Sequence, residues 1–266
     1  MSPMATLFNG ELVINSNEMT SRITYIITRI CFILATSILF SCSKDGCSFS
    51  SGVISDQTRN VSPFNEIILF DKINLILKED SVQSLTVEAN KILLPGISTD
   101  VSNNILTIKN ANHCTLLTTP DQQINVYVST NQLQKITYYG AGNINSVNTF
   151  HPSQFTVDSW TGTGTVKLDL ITNSLNVYLR TNDAQIILSG QSNLTDIFCA
   201  AEGNINMFQL TSVNLTLNQR SVRDIDINVT GSLNADVVYK GNVFYMGNPV
   251  KIDSLITSTG RLIHVQ

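Results

Sequence analysis

From Ser62 onward, apolar and polar residues alternate in short runs divided by turn residues. The runs are Glu66–Phe70, Ile73–Leu77, Ser84–Glu88, Ile105–Ile108, Ile124–Val128, Gln134–Tyr138, Thr165–Leu170 and Leu175–Leu179. A period of two sends successive side chains to opposite faces, so each run reads as a half-buried strand. No window keeps a 3.6-residue period for long enough to hold a helix, and very little helix is expected.

A second pattern overlies the strands. Gly140-Ala141-Gly142-Asn143-Ile144-Asn145 is echoed by Gly162-Thr163-Gly164-Thr165-Val166-Lys167, by Thr181-Asn182-Asp183-Ala184-Gln185-Ile186 and by Ala201-Glu202-Gly203-Asn204-Ile205-Asn206. Weaker echoes lie at Arg223-Asp224-Ile225, Lys240-Gly241-Asn242-Val243 and Thr259-Gly260-Arg261-Leu262. A repeat of about 20 residues with two or three strands is the signature of a solenoid. The expected fold is all-β: a right-handed β-helix-like solenoid of short stacked strands with Gly/Asn corners. Gly, Asn and Asp suit such corners because they tolerate left-handed backbone angles. A second corner is expected midway, at Ser189-Gly190-Gln191 and Thr230-Gly231-Ser232. Asn residues at like positions, such as Asn143 and Asn204, are candidates for side-chain ladders. A β-sandwich or barrel of evenly spaced hairpins is the alternative. Ser62 to about Gln132 has the strands without the glycine repeat, and reads as wider coils or a cap over one end.

The start of the chain follows other rules. Ile23–Phe40 is apolar, with Arg22 and Arg29 flanking or entering it, and its uninterrupted core runs from Ile30 to Phe40. A basic start, a short apolar core and small residues after it form a secretory signal. The core alone is short for a bilayer span, which takes about 20 residues; with the residues before Arg29 an uncleaved anchor is the alternative. Leu39-Phe40-Ser41-Cys42 resembles the bacterial lipobox, in which cleavage precedes a cysteine that is diacylated. Two or three acyl chains hold a protein stably where one does so marginally. Residues 1–41 are therefore assigned to an N-terminal extension and lipoprotein signal, with Met19 the expected initiator. Residues 42–61 are the lipidated Cys42 and a flexible tether, and 62–266 a single β domain with regular repeats from about 140.

Composition narrows the function classes. Charged residues make up 14% of the 266 and the net charge is −4. No basic stretch is long enough to follow a nucleic-acid backbone, so no nucleic-acid partner is expected. The five cysteines, Cys31, Cys42, Cys47, Cys114 and Cys199, lack metal-site spacing. Cys31 would leave with the signal, and Cys114 and Cys199 read as buried small hydrophobes.

Several segments resemble the head GIN domain family, an auto-transporter adhesin domain of unknown function common in Bacteroidetes. Val61-Ser62-Pro63-Phe64-Asn65-Glu66-Ile67 is similar to its Pro-Phe opening, and Gly140–Ser146 to its glycine corner. Tyr239-Lys240-Gly241-Asn242 with Gly247-Asn248-Pro249 resembles a late Tyr-x-Gly-x-Pro segment with a longer insert, and Thr259–Ile263 the final glycine corner. The likeness runs from about residue 61 to 263. It implies a β-helix-like fold, export and frequently a lipoprotein signal, and no established activity. The glycines are missing at Thr181-Asn182-Asp183 and Ser221-Val222-Arg223, which points to decayed coils within the same fold.

No catalytic set emerges. His113, His151 and His264 are far apart, and His113 and Cys114, adjacent on a strand, would face opposite ways. Candidate acids for cutting a polysaccharide are Asp158, Asp169, Asp183, Asp196, Glu202, Asp224, Asp226 and Asp236. Asp224 and Asp226, two apart, would share a face, and glycoside hydrolysis needs two carboxyls about 5–10 Å apart. No aromatic cluster or basic residue marks a sugar groove beside them in the sequence. They read as solvated strand positions, and Trp160 reads as corner packing rather than a sugar platform. The expected function is a cell-envelope lipoprotein at the outer membrane or cell surface, acting as a non-catalytic binding, adhesion-like or structural module. Its expected partners are the lipid bilayer, through acylated Cys42, and a glycan or envelope or matrix protein; no cofactor or metal is expected. The alternative is a polysaccharide-active enzyme using a carboxylate pair.

Overall fold

The computed structural model describes residues 7–8, 11–12, 25–27, 29–30, 53–112, 123–181 and 183–266. The chain separates into two compact units, residues 1–49 and 50–266. In the first, β1 (Leu7–Phe8) pairs antiparallel with β2 (Glu11–Leu12), and short helical turns lie at Tyr25–Ile27 and Arg29–Ile30. Among the described residues no helix is long and apolar enough to cross a membrane. Cys42, Cys47, His113 and Cys114 lie outside the described residues.

The second unit is a stack of β rungs with two walls. Its strands are β3 (Ile54–Thr58), β4 (Glu66–Leu69), β5 (Asn74–Lys78), β6 (Ser84–Asn90), β7 (Ile97–Ser102), β8 (Ile105–Asn110) and β9 (Asn125–Ser129). Then come β10 (Lys135–Tyr138), β11 (Ile144–Ser146), β12 (Gln154–Ser159), β13 (Thr165–Leu179), β14 (Gln185–Cys199), β15 (Asn204–Gln219), β16 (Ile225–Val237), β17 (Val243–Met246), β18 (Lys251–Ile256) and β19 (Leu262–His264). Each rung gives one strand to the first wall and the next to the second, and like strands pair in parallel. On the second wall Ile144 faces Val166, followed by Ile186, Ile205, Ile225, Val243 and Leu262. On the first, Ile67, Ile136, Val157, Val177, Ile197, Leu217 and Ala235 form the matching row. All but Leu262 are buried, so the core is a column of branched side chains packed rung on rung between the walls. This is the solenoid expected from the repeat.

The rungs differ from expectation in their corners. Thr165–Leu170 and Leu175–Leu179, expected as two strands, are one continuous β13 that bends near Thr172. Small hydroxyls fill that bend: Thr172, Ser192 and Ser212 stack in register, all buried. Thr172 and Ser192 donate to the carbonyls of Ser174 and Leu194, at 3.2 and 2.8 Å. Gly190 has φ +108° and turns β14 at the same place, where a side chain would be strained. At the opposite corner the glycines serve a different purpose from the one expected. Gly142 and Gly164 are not in the left-handed region, yet a Cβ on Gly142 would lie 1.9 Å from the Ile73 carbonyl oxygen, and one on Gly164 2.2 Å from that of Gly142. Close approach between rungs demands them there. The same row continues through Ala184, Gly203, Arg223, Gly241 and Gly260, so the glycine-poor corners are intact coils.

Strands β6 to β9 form the cap. The chain lays down β4 and β5, runs outward through β6 and β7, then returns as β8 and β9 against β4 and β5 before β10 resumes the stack on their other side. β7 closes the first wall antiparallel to β8; on the second, β6 pairs antiparallel with β9 and β3 antiparallel with β6. Ile54–Thr58, inside the stretch expected as tether, is thus a paired strand, because β6 offers an open edge to it. Arg59 spans the end of the core: Nη1 donates to the Ile97 carbonyl at 2.5 Å and to Thr99 Oγ1 at 3.1 Å, and Nη2 to the Leu94 carbonyl at 2.9 Å and Gln57 Oε1 at 3.0 Å.

Candidate binding surface

Alternation along each strand sends every second residue of the first wall outward. The central outward row is Lys135, Thr156, Asn176, Asp196, Thr216, Asn234 and Asp253, one residue per rung. Beside it run Ser174, Leu194, Asn214 and Ser232. Rung spacing sets these groups about 4.8 Å apart along each row. They are short, mostly neutral hydrogen-bonding side chains, and few are tied to one another: Asn176 donates to Thr156 at 3.3 Å and Ser232 to Asn214 at 2.6 Å. A shallow depression of about 330 Å³ lies over Asn176, Asp196, Thr216 and Asn234.

The eight candidate acids separate into different settings. Asp158 is buried and accepts from Arg180 Nε at 2.6 Å. Asp169 accepts from Thr149 at 2.5 Å and Ser189 at 3.0 Å, bracing neighbouring rungs. Asp196 and Asp236 stand on the outer face of the first wall. The remaining four, Asp183, Glu202, Asp224 and Asp226, converge with Arg223 and Phe244 on a groove of about 530 Å³ at the glycine corner. Asp224 and Asp226 share it, as their spacing requires. Asp224 accepts from the Asn242 backbone N–H at 2.7 Å. Partial burial, helped by the charge of Asp224, holds the Asp226 carboxyl above the usual aspartate range. Among the described residues no three His, Cys, Asp or Glu side chains are placed to share a metal ion. His151 pairs with Glu79 at 2.7 Å, and His264 lies against Tyr245 and the Gly247 carbonyl.

No aromatic cluster was expected, and the structure builds one. Phe70 stacks on Tyr139 at 4.9 Å, and Tyr139 on Trp160 at 6.5 Å, one ring per rung. Lys109 lies 4.5 Å from the Phe70 ring at one end, and Arg180 4.5 Å from Trp160 at the other. Tyr139 and Trp160 are one repeat apart and were discoverable by period. Phe70 was not, because the whole cap intervenes between adjacent rungs β4 and β10. The ring faces are spent on one another and on the two cations, leaving their edges to solvent. The row is therefore corner packing, as expected for Trp160, rather than a platform for a sugar ring.

Residues 63–249 match the family model described as "Putative auto-transporter adhesin, head GIN domain". The chain belongs to the head GIN domain family. A crystal structure of a "putative adhesin" from Bacteroides fragilis shares 19% identity and a TM-score of 0.71, covering 81% of this chain and 98% of that one. A "putative lipid binding protein" and a "putative adhesin" from Parabacteroides distasonis superpose with TM-scores of 0.59 and 0.58 at 14% and 18% identity, each over 81% of this chain and 98% of their own. At these identities the likeness is one of fold. No curated protein matches the chain. The head GIN repeat thus corresponds to the two-walled rungs described above, and the Gly140–Ser146 motif to the corner at which one rung approaches the next.

Proposed function

We propose that this head GIN protein is a cell-envelope lipoprotein, anchored through acylated Cys42, that works as a non-catalytic, adhesion-like binding module for a glycan or an envelope or matrix protein. The observation that carries the reading is the outward face of the first wall. Rows of Asn, Thr, Ser and Asp repeat at rung spacing across it, offering many weak, regularly spaced hydrogen bonds to an extended ligand. Such a face suits recognition by summed contacts rather than by one deep pocket. The description of two similar folds as adhesins agrees with this use, and the lipobox-like Leu39–Cys42 segment supports an address at the outer membrane or cell surface.

The test is an array of glycans and matrix proteins probed with the full chain in detergent. Saturable binding to a defined class, weakened at least about tenfold by combined Asn176→Ala, Thr216→Ala and Asn234→Ala, supports the reading, since three hydrogen bonds at about 1 kcal/mol each exceed that factor. Release of soluble sugar from the same array overturns it in favour of an enzyme working at the Asp224–Asp226 groove. Binding that ignores the triple substitution overturns the assignment to the first wall.

A further inference from the structure

The two ends of the stack are finished differently. At the cap end β3 closes the second wall antiparallel to β6 and is polar on its inward side, with Ser55 and Gln57 opposite buried Ala89 and Val87; β7 closes the first wall with Ile97 buried and Val101 packed on the core, and Arg59 ties the two walls together. Among the described residues the other end has no such lid: β18 pairs with β16 along one edge alone, and every residue of it is exposed. Its inward positions continue the core rows: Ile252 follows buried Leu233, and Ile256 follows buried Val237, yet they are 41% and 46% exposed. Val250, just before the strand, is 91% exposed. A core column that ends in open isoleucines beside unpaired backbone N–H and C=O groups is a template for another strand.

The charges on β18 indicate which strand. Lys251 and Asp253 flank Ile252 on the outward side, and they form an ion pair with each other at 2.6 Å. In an antiparallel pairing centred on Ile252, Lys251 faces Asp253 of the second copy, and Asp253 faces Lys251 of that copy. The strand is its own complement: both cross-strand pairs are of opposite charge, and the two Ile252 side chains meet over the core. Because the same strand pairs with itself, the contact closes as a two-fold pair and does not extend into a filament. We propose that β18 is a homotypic interface: two copies join end to end through antiparallel β18 strands in the register centred on Ile252. This goes beyond the ligand-binding reading and does not depend on it, because Asn176, Thr216 and Asn234, on which that reading is tested, lie on other strands.

The test is disulfide trapping of the full-length chain in intact cells. Ile252→Cys places two thiols opposite each other, and mild oxidation is expected to give a covalent dimer whose cross-linked peptide joins position 252 to 252. Ser254→Cys, which faces residue 250 of the second copy in this register, is expected to cross-link at least fivefold less, as is Ser98→Cys at the cap end. In the Ile252→Cys background, Lys251→Glu is expected to cut the dimer yield at least fivefold, and adding Asp253→Lys to restore it to within twofold. The β18 positions are exposed and Ser98 is half-buried, and an unchanged β-type circular dichroism spectrum of each purified variant confirms that it folds. Absence of the 252–252 peptide, equal trapping at 254 and 98, or failure of the charge exchange to restore the yield overturns the proposal.

Discussion

The Tyr138 hydroxyl donates to the Gly142 carbonyl at 2.5 Å and accepts from the Gly164 N–H at 2.9 Å, plugging one corner and stitching it to the next rung. The ring is buried, and Gly162 stands where a Cβ would lie 2.1 Å from it. Gln219, in the same inward row, repeats the device by donating to the Arg223 carbonyl at 2.5 Å. Tyr138→Phe keeps the ring and strands one buried carbonyl and one N–H. The expected loss is about 1–3 kcal/mol, read as a lower urea midpoint at unchanged m-value.

The same tyrosine carries a pH signature. Burial holds the Tyr138 phenol above its ordinary value of about 10, against smaller opposing pulls from the Gly164 and Thr163 backbone. The folded chain therefore keeps this proton to higher pH than the unfolded chain does. Its contribution to stability is complete below the ordinary value and drains away as pH rises from there through the raised one. Tyr138→Phe is expected to flatten part of the alkaline fall in melting temperature; Tyr127 and Tyr178, also raised by burial, leave the remainder.

Gly142→Ala is expected to cost more than Gly231→Ala. The first Cβ would lie 1.9 Å from a carbonyl oxygen of the rung beneath, and backbone on both sides would have to separate. The second meets its nearest atom at 2.7 Å, beside a register shift between β15 and β16 that already loosens the pairing. Overpacking of this kind costs about 1–3 kcal/mol. Thermal melts of the two variants check the order; equal loss would show that the corner relaxes freely.

The repeat was legible in sequence because its cause is local. Close approach between rungs favours a small residue in most turns, and the row of Gly142, Gly164, Ala184, Gly203, Gly241 and Gly260, interrupted by Arg223, is what the 20-residue period records. Asn143 and Asn204 were candidates for a side-chain ladder, but Thr165 and Gln185 lie between them in the row. The ladder takes another form: the Asn143 backbone N–H donates to Asn74 Oδ1 at 2.9 Å, and the Asn143 side-chain oxygen accepts from the Thr165 N–H at 3.1 Å. A cap was one of two readings of residues 62 to about 132, but its path was not legible, because β4 meets β10 across an excursion whose length follows no period. The acidic groove was half visible: Asp224 and Asp226 share a strand face, while Asp183 and Glu202 join them only through rung stacking.

Asp226→Asn is expected to stabilise the fold near neutral pH. Burial, and then the charge of Asp224, raise the Asp226 carboxyl above the ordinary aspartate value of about 3.9. The folded chain thus favours the protonated form. Stability is greatest below that ordinary value and falls as pH rises through the raised one. An amide cannot ionise, so the variant should melt higher than the parent at pH 7, and the gain should shrink as pH is lowered towards 4. A lower melting temperature at pH 7 would mean that the carboxylate is paired rather than penalised.

Cys42 supplies the prediction that bears on where the chain works. If the thiol carries the anchor, its acyl chains contribute about 0.8 kcal/mol per buried CH₂, and two or three of them hold the protein to a bilayer through carbonate washing. Cys42→Ala is then expected to abolish incorporation of labelled palmitate. The same substitution distinguishes the anchor from the apolar segment before it. Without the cysteine the lipoprotein cut before residue 42 cannot occur, and the chain should accumulate at precursor mass with Ile23–Phe40 still attached. The parent, by contrast, should begin at an acylated residue 42, as peptide mass analysis of the mature N-terminus will read directly. A parent chain that retains Ile23–Phe40 and incorporates no palmitate would replace the lipid anchor with a membrane-embedded signal segment, leaving the binding face of the first wall where it is.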